Sequence, residues 1–286
     1  MNFTDALKPE DYAEPECPLC MTPPGKRDAF KPINVERVIA KVDEYLSVDD
    51  AENAGRTLEY WLGEAELGGD LRGAFAMHNE LMGFYRKKGD GEKASFHAGE
   101  ALRLAAETGL DGNLSGGTAF INAATVSKAF GRPVEAMERF RKAEEIFASL
   151  NGVPHFRIAG LNNNMALALC DLGRYDEAAE RYKAALSELE QTENGEAEQA
   201  VTYLNLADAI ETFIGPEAGA EKISGYVEKA YSLLMTETLP KNGDYAYYCR
   251  TCAPSFDYYG YFSYASELRR RADDIYGRGK SESQRP

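Results

Sequence analysis

Four glycines, Gly89, Gly131, Gly173 and Gly215, follow one another at a constant step of 42 residues. Two further columns keep that step: Ala94, Ala136, Ala178 and Ala220, then Ala101, Ala143, Ala185 and Val227. Three columns in register over four copies mean that the chain repeats one supersecondary unit. The third copy shows what the unit is. Met165, Leu169 and Leu172 share one helical face, and Ala178, Tyr182, Ala185 and Leu186 share another, with Gly173 and Arg174 between them. Gly173 suits the left-handed residue that ends a helix, and Asp176 with Glu177 suits the positive start of the next. Such a helix pair has an apolar face that it cannot bury alone, so the copies must stack. The expected fold is all-α, a solenoid of antiparallel helix pairs. The fourth copy departs most, with Asp208 where the third has Ala166 and Pro216 directly after the turn glycine.

The flanks divide the rest of the chain. Residues 1–31 hold Pro9, Pro15, Pro18, Pro23 and Pro24, which predicts an extended arm rather than a helix. Residues 32–68 read as an opening helical hairpin. Asn34 caps a helix carrying Val35, Val38, Ile39, Val42 and Leu46. A second helix follows with Ala54, Leu58, Trp61, Leu62 and Ala65, and it ends at Gly68-Gly69. Residues 69–235 hold the four repeats. From 241 to 278 tyrosines crowd around Gly260, followed by a charged helix from about Ser263 to Tyr276. This reads as a cap that covers the last repeat. Residues 279–286 complete a tail, disordered in expectation, that begins near Gly277.

Charge and composition narrow the function. A net charge of −15 is unfavourable for nucleic acid and for an anionic membrane surface. No apolar run approaches the roughly 20 residues that span a bilayer, and no secretory pattern opens the chain, so a cytoplasmic protein is expected. Five cysteines do not make a disulfide scaffold at this length. His78, His97 and His155 are expected in different units, without ligand spacing, and Gly112 to Gly117 lacks the Lys and Ser/Thr of a phosphate loop and reads as an inter-repeat loop. Nothing here builds an active site, and an enzyme is not expected.

The stretch Leu-Gly-Arg-Tyr-Asp-Glu-Ala from Leu172 to Ala178, with Tyr-Lys-Ala-Ala-Leu from Tyr182 to Leu186, resembles the tetratricopeptide repeat. That repeat is usually about 34 residues long, so each helix should gain about one turn here. The longer step, with Asn-Asn-Met-Ala-Leu-Ala opening the unit, is similar to the repeats of kinesin light chain. The resemblance covers residues 69–235 and extends to uncharacterised bacterial repeat proteins with a tyrosine-rich end. It implies a right-handed superhelical solenoid whose first helices line a concave face that binds a protein or peptide segment.

Carried onto this sequence, the groove positions are Asn79, Ile121, Asn163 and Asn205, then Glu80, Asn122, Asn164 and Leu206, then Arg86, Lys128, Cys170 and Thr212. Asparagine is a mediocre helix former, so its recurrence needs a reason beyond propensity. Its amide both donates and accepts, which suits gripping an extended backbone. The same amides serve equally to hydrogen-bond neighbouring helices and set the superhelix pitch. Arg86, Lys87 and Lys128 favour an acidic segment or a chain-terminal carboxylate as partner, the alternative being a solvated helix face, which is the better reading for Lys87. The lysine and arginine set of chaperone-tail binders is not matched. No cofactor is expected, with one alternative. Cys17-Pro-Leu-Cys20 and Cys249-Arg-Thr-Cys252 each have the spacing of half a four-thiolate zinc site. They would meet only if the arm folds back, over a reach of about 35–40 Å, or if two chains share the metal. On that reading the chain is a zinc-clamped or redox-sensing adaptor, and otherwise Cys249 and Cys252 are thiols buried among rings. The acidic arm, with Asp5, Glu10, Asp11, Glu14 and Glu16, is itself a candidate occupant of the groove.

Overall fold

The computed structural model describes residues 31–47 and 50–282, the side chains of 278–282 excepted. The expected arm, apart from Lys31, and with it Cys17 and Cys20, lies outside the described residues, as do residues 283–286. Among the described residues there are twelve α-helices and no strand. The chain divides into two compact units, one ending at Leu150 and the other beginning at Asn151. The division falls inside the run of repeats from 69 to 235.

The first unit holds three helix pairs. α1 (Val35–Ser47) and α2 (Ala51–Leu67) form the opening pair. The Asn34 Oδ1 accepts from the Arg37 N–H at 3.1 Å, which caps α1 as its sequence predicts. α2 buries Ala54, Leu58, Trp61, Leu62 and Ala65, the expected face. α3 (Leu71–Lys88) pairs with α4 (Gly91–Glu107), and α5 (Leu114–Ala129) with α6 (Pro133–Ser149). Asp50, Asp70 and Asp90 open α2, α3 and α4, each accepting from the backbone N–H three residues on at 2.9–3.1 Å. A cap of this kind contributes about 1 kcal/mol. Asp70 also accepts from the Ile33 N–H at 2.9 Å, which ties the entry of α1 to the start of α3. The apolar core runs from Ile33 through Trp61 and Leu81 to Val126.

The second unit continues with α7 (His155–Asp171) and α8 (Tyr175–Leu189), then α9 (Glu196–Ile214) and α10 (Ala220–Leu234). It closes with α11 (Gly243–Tyr258) and α12 (Phe262–Glu282). Its core gathers Leu204, Val227, Leu234, Phe256 and Leu268, with Tyr231, Tyr248, Tyr259 and Tyr264 packed against it. Tyr231 and Tyr264 stack at 3.7 Å between centroids, and Phe256 meets both edge-on.

The 42-residue step has a hydrogen-bonded cause in three of the four copies. Gly89, Gly131 and Gly173 have φ of 77°, 73° and 70°, which only glycine adopts without strain. The following residue donates its N–H five residues back in each case, Asp90 to Tyr85 at 3.0 Å, Arg132 to Ser127 at 2.9 Å and Arg174 to Leu169 at 2.9 Å. This is the Schellman closure of a helix. Pro216 holds that position in the fourth copy and has no N–H to donate. Gly215 there takes φ 94° and ψ 156°, and α10 does not begin until Ala220. Ala94, Ala136 and Ala178 are fully buried, whereas Ala220 is exposed. The second column recovers, since Ala101, Ala143, Ala185 and Val227 are all fully buried.

Two expectations are corrected at element ends. The stretch from Gly112 to Gly117 is not all loop, because Asn113 caps α5 at Ser115 and Gly116, which puts Gly116 and Gly117 in its first turn. A Cβ on Gly117 would stand 2.5 Å from the Phe147 ring, so glycine is what allows α5 to approach α6. α12 runs on to Glu282 rather than ending near Tyr276, so residues 279–282 are helical where a tail was expected. No proline interrupts the chain there before Pro286, and glycine weakens a helix without stopping it. α11 continues past Pro254, whose ring is exposed, because Cys252, Ala253 and Phe256 around it are buried.

Candidate functional site

In the first unit the predicted positions on α3 and α5 converge on one groove of about 460 Å³. Asn79, Glu80, Arg86, Lys87 and Lys88 of α3 line it together with Asn122 and Thr125 of α5. The apolar part of the lining comes from Ile39, Val42 and Leu46 of α1, Leu58 of α2 and Phe84 of α3, and Asp43 of α1 adds a second carboxylate to that of Glu80. Asn122 Nδ2 donates to Asn79 Oδ1 at 3.0 Å, linking the two first helices, and Asn79 Nδ2 donates to Glu80 at 3.3 Å. Both amides are half-buried, so each keeps hydrogen-bonding capacity toward the groove. Burial pushes the Glu80 carboxyl up, the Asn79 hydrogen bond opposes this, and Asp43 adds to the rise.

Positive charge gathers in the last turn of α3, where Arg86, Lys87 and Lys88 also suit the negative end of the helix dipole. The Lys88 ammonium stands 4.8 Å over the Phe84 ring. Lys128, half-buried on α5, does not line the groove. The apolar lining from α1 was not among the sequence candidates. The signal was there, since α1 opens a hairpin and so occupies the place of a first helix, but it precedes the repeat from which the columns were read.

The second unit places its candidates differently. Asn163 Nδ2 donates to Thr202 Oγ1 at 2.8 Å, joining α7 to α9, and Thr202 is fully buried. The Asn163 Oδ1 is buried without a hydrogen bond. Asn164 turns back on its own helix and donates to the Gly160 carbonyl at 2.8 Å. Asn205 is half-buried on α9. Asn162, not a candidate, is buried, donates to the Ile158 carbonyl at 3.0 Å and accepts from Arg181 at 3.1 Å. From α9 to α11 the links are tyrosine to carboxylate. Tyr248 donates to Glu198 at 2.6 Å and Tyr258 to Glu211 at 3.0 Å. Burial and then the bond to Glu198 push the Tyr248 hydroxyl far up, so it remains a donor. Burial also raises Asp208, with Glu211 adding to it.

Cys249 and Cys252 are buried in the core of the second unit, beside Tyr245 and Phe256. Burial pushes the Cys249 thiol up, against its hydrogen bond with Tyr245, and pushes Cys252 up to about 12. Both are therefore protonated thiols at neutral pH in the absence of a metal, and a metal ion would have to displace their protons. The described residues supply two thiols of the four, and Cys17 and Cys20 lie outside them.

The histidines correct the sequence reading. His78 on α3 and His97 on α4 belong to one helix pair and meet at 2.8 Å between their Nδ1 atoms, both buried. One ring must donate and the other accept, so the two cannot both be protonated while they share this bond. Burial first, and then the neighbouring His97, lowers His78 to about 4. Tyr85 stacks on the His97 ring at 5.5 Å. Among the described residues no group of three or more His, Cys, Asp or Glu side chains is arranged to hold a metal.

No protein-family model matches the chain, and no curated protein matches it. Among solved structures it is similar to BtubC (BKLC) of P. vanneervenii, at 22% identity over 89% of this chain and 95% of that one, with a TM-score of 0.45. It is also similar to a kinesin light chain-like protein of Podosopora anserina with nearly identical TPR-like repeats. There the identity is 17% over 73% of this chain and 96% of that one, with a TM-score of 0.46. These are likenesses of helix-repeat folds, at identities too low to speak for function. The helix pairs described above are the architecture that the resemblance to tetratricopeptide repeats implies.

Proposed function

We propose that the chain is a non-catalytic peptide-binding scaffold whose working surface is the groove of the first unit. One observation carries this reading: Asn79, Asn122, Arg86 and Lys87 line a single groove together with the apolar Ile39, Val42, Leu46 and Phe84. Amides that retain donors and acceptors suit the backbone of an extended segment. The apolar lining suits one or two aliphatic or aromatic side chains, and the end of α3 suits a carboxylate. The partner is then a segment with apolar residues followed by acidic ones or by a free C-terminus. Among the described residues no helix is long and apolar enough to cross a membrane.

A displayed library of short peptides, screened against wild type and against Asn79→Ala/Asn122→Ala and Arg86→Ala/Lys87→Ala, tests the reading. Wild type should select apolar–acidic sequences. The amide pair should lower affinity about tenfold, as two net hydrogen bonds imply, and the charge pair should flatten its salt dependence. Selected peptides that bind all three proteins equally, with helicity unchanged, would overturn it.

A further inference from the structure

A second cavity, of about 520 Å³, lies wholly within the second unit. It is bounded by the start of α7, the turn from Thr192 to Asn194, the start of α9 and the entry to α11. Its walls are aromatic, with Phe156, Tyr245, Tyr247 and Tyr248, and its charged lining is entirely acidic, with Glu193, Glu198 and Asp244. Asn194 takes φ 58°, a left-handed turn that asparagine tolerates, and sets Glu193 on the rim.

The rings around this cavity already act as cation acceptors. The Arg157 guanidinium stands 5.2 Å from the Phe156 centroid, and the Lys241 ammonium 4.1 Å from that of Tyr245. Among the described residues Tyr247 and Tyr248 carry no such cation. Their rings meet edge to face at 5.6 Å and 73°, forming a corner, and Tyr247 is 55% exposed. Tyr248 is held by its hydrogen bond to Glu198. An open corner of two ring faces, with Glu193 and Asp244 at hand and the nearby Arg157 and Lys241 engaged on other rings, matches an organic ammonium ion. The rings attract it through their quadrupoles and the carboxylates through charge.

We propose that this cavity binds an alkylammonium group, in the form of a lysine side chain or its methylated derivative. The site is separate from the groove of the first unit, and either can fail without the other. Calorimetry on the full chain would compare three capped probes: trimethyllysine, lysine, and the neutral isostere in which carbon replaces the ammonium nitrogen. The cationic probes should bind and the neutral isostere should bind about tenfold more weakly. Tyr247→Ala should weaken binding about 5–30-fold, while Tyr247→Phe retains it, since the ring face and not the hydroxyl is used. Glu193→Gln/Asp244→Asn, both at exposed positions, should weaken the cations and leave the neutral probe unchanged. Preference for trimethyllysine would identify a methylated ligand, and equal binding an unmodified one, both in support. Equal binding of the neutral isostere, absence of binding by either cation, or indifference to Tyr247→Ala in a folded variant would overturn the proposal.

Discussion

The two units repeat one helix pair and tie its first helices together in different ways. In the first unit the Asn122–Asn79 link is half open, and it stands in a groove beside Arg86 and Lys87. In the second the Asn163–Thr202 link is sealed at a fully buried hydroxyl, and the next step is closed by Tyr248 on Glu198 and Tyr258 on Glu211. Asparagine therefore has no fixed meaning in this repeat. All three amides are half-buried, but at Asn163 the Oδ1 is covered and goes unpaired, whereas Asn79 and Asn122 line the groove.

The largest single effects should come from truncations in the two cores. Phe256 and Phe140 are both fully buried, but only Phe256 meets two stacked tyrosines edge-on. Each Phe→Ala change should cost about 3–5 kcal/mol, with Phe256→Ala the greater by roughly 0.5–1.5 kcal/mol for the lost ring contacts. Urea unfolding followed by helicity measures both, and equal costs would mean that the tyrosine stack adds nothing beyond burial.

Acid should come next. His78 sits at about 4 in the folded chain against an ordinary 6.5, so the folded state binds fewer protons than the unfolded one between those values. Stability is then complete above pH 6.5 and is lost as pH falls toward 4, by on the order of 3 kcal/mol. His97, also lowered, chiefly by burial, acts in the same direction. Unfolding midpoints across this window should fall for wild type and flatten for His78→Gln. A parallel fall in both proteins would remove His78 as the cause.

The smallest effects bear directly on the two amide links. Thr202→Val leaves the Asn163 amide without its partner in a closed site and should cost about 1–3 kcal/mol. Asn122→Ala leaves Asn79 facing water and should cost about 1 kcal/mol or less. Similar costs for the two would erase the distinction between an open and a sealed amide.

Much of this was legible because helix pairs leave local signatures. The period of Met165 and Leu169, the cap at Asn34 and the glycine after each first helix follow from backbone geometry within a few residues, and a repeated backbone repeats them. The weak fourth copy was legible too, through Pro216, although its consequence, an exposed Ala220 and a late α10, depends on which N–H the Schellman turn uses. The groove was half legible. Its amides and Arg86 lie at repeat positions, whereas Ile39, Val42 and Leu46 precede the repeat.

What the sequence determined by itself is the helix pair, its 42-residue step and the faces that must be buried, since periodicity and turn chemistry act between neighbours along the chain. What only the tertiary structure decided is which polar side chain finds a partner across helices. Asn79 and Asn163 share a column, and His78 and His97 are separated by a turn. Their fates rest on the distance and burial of one atom on another helix, and hydrogen bonding and desolvation are settled over those few ångströms.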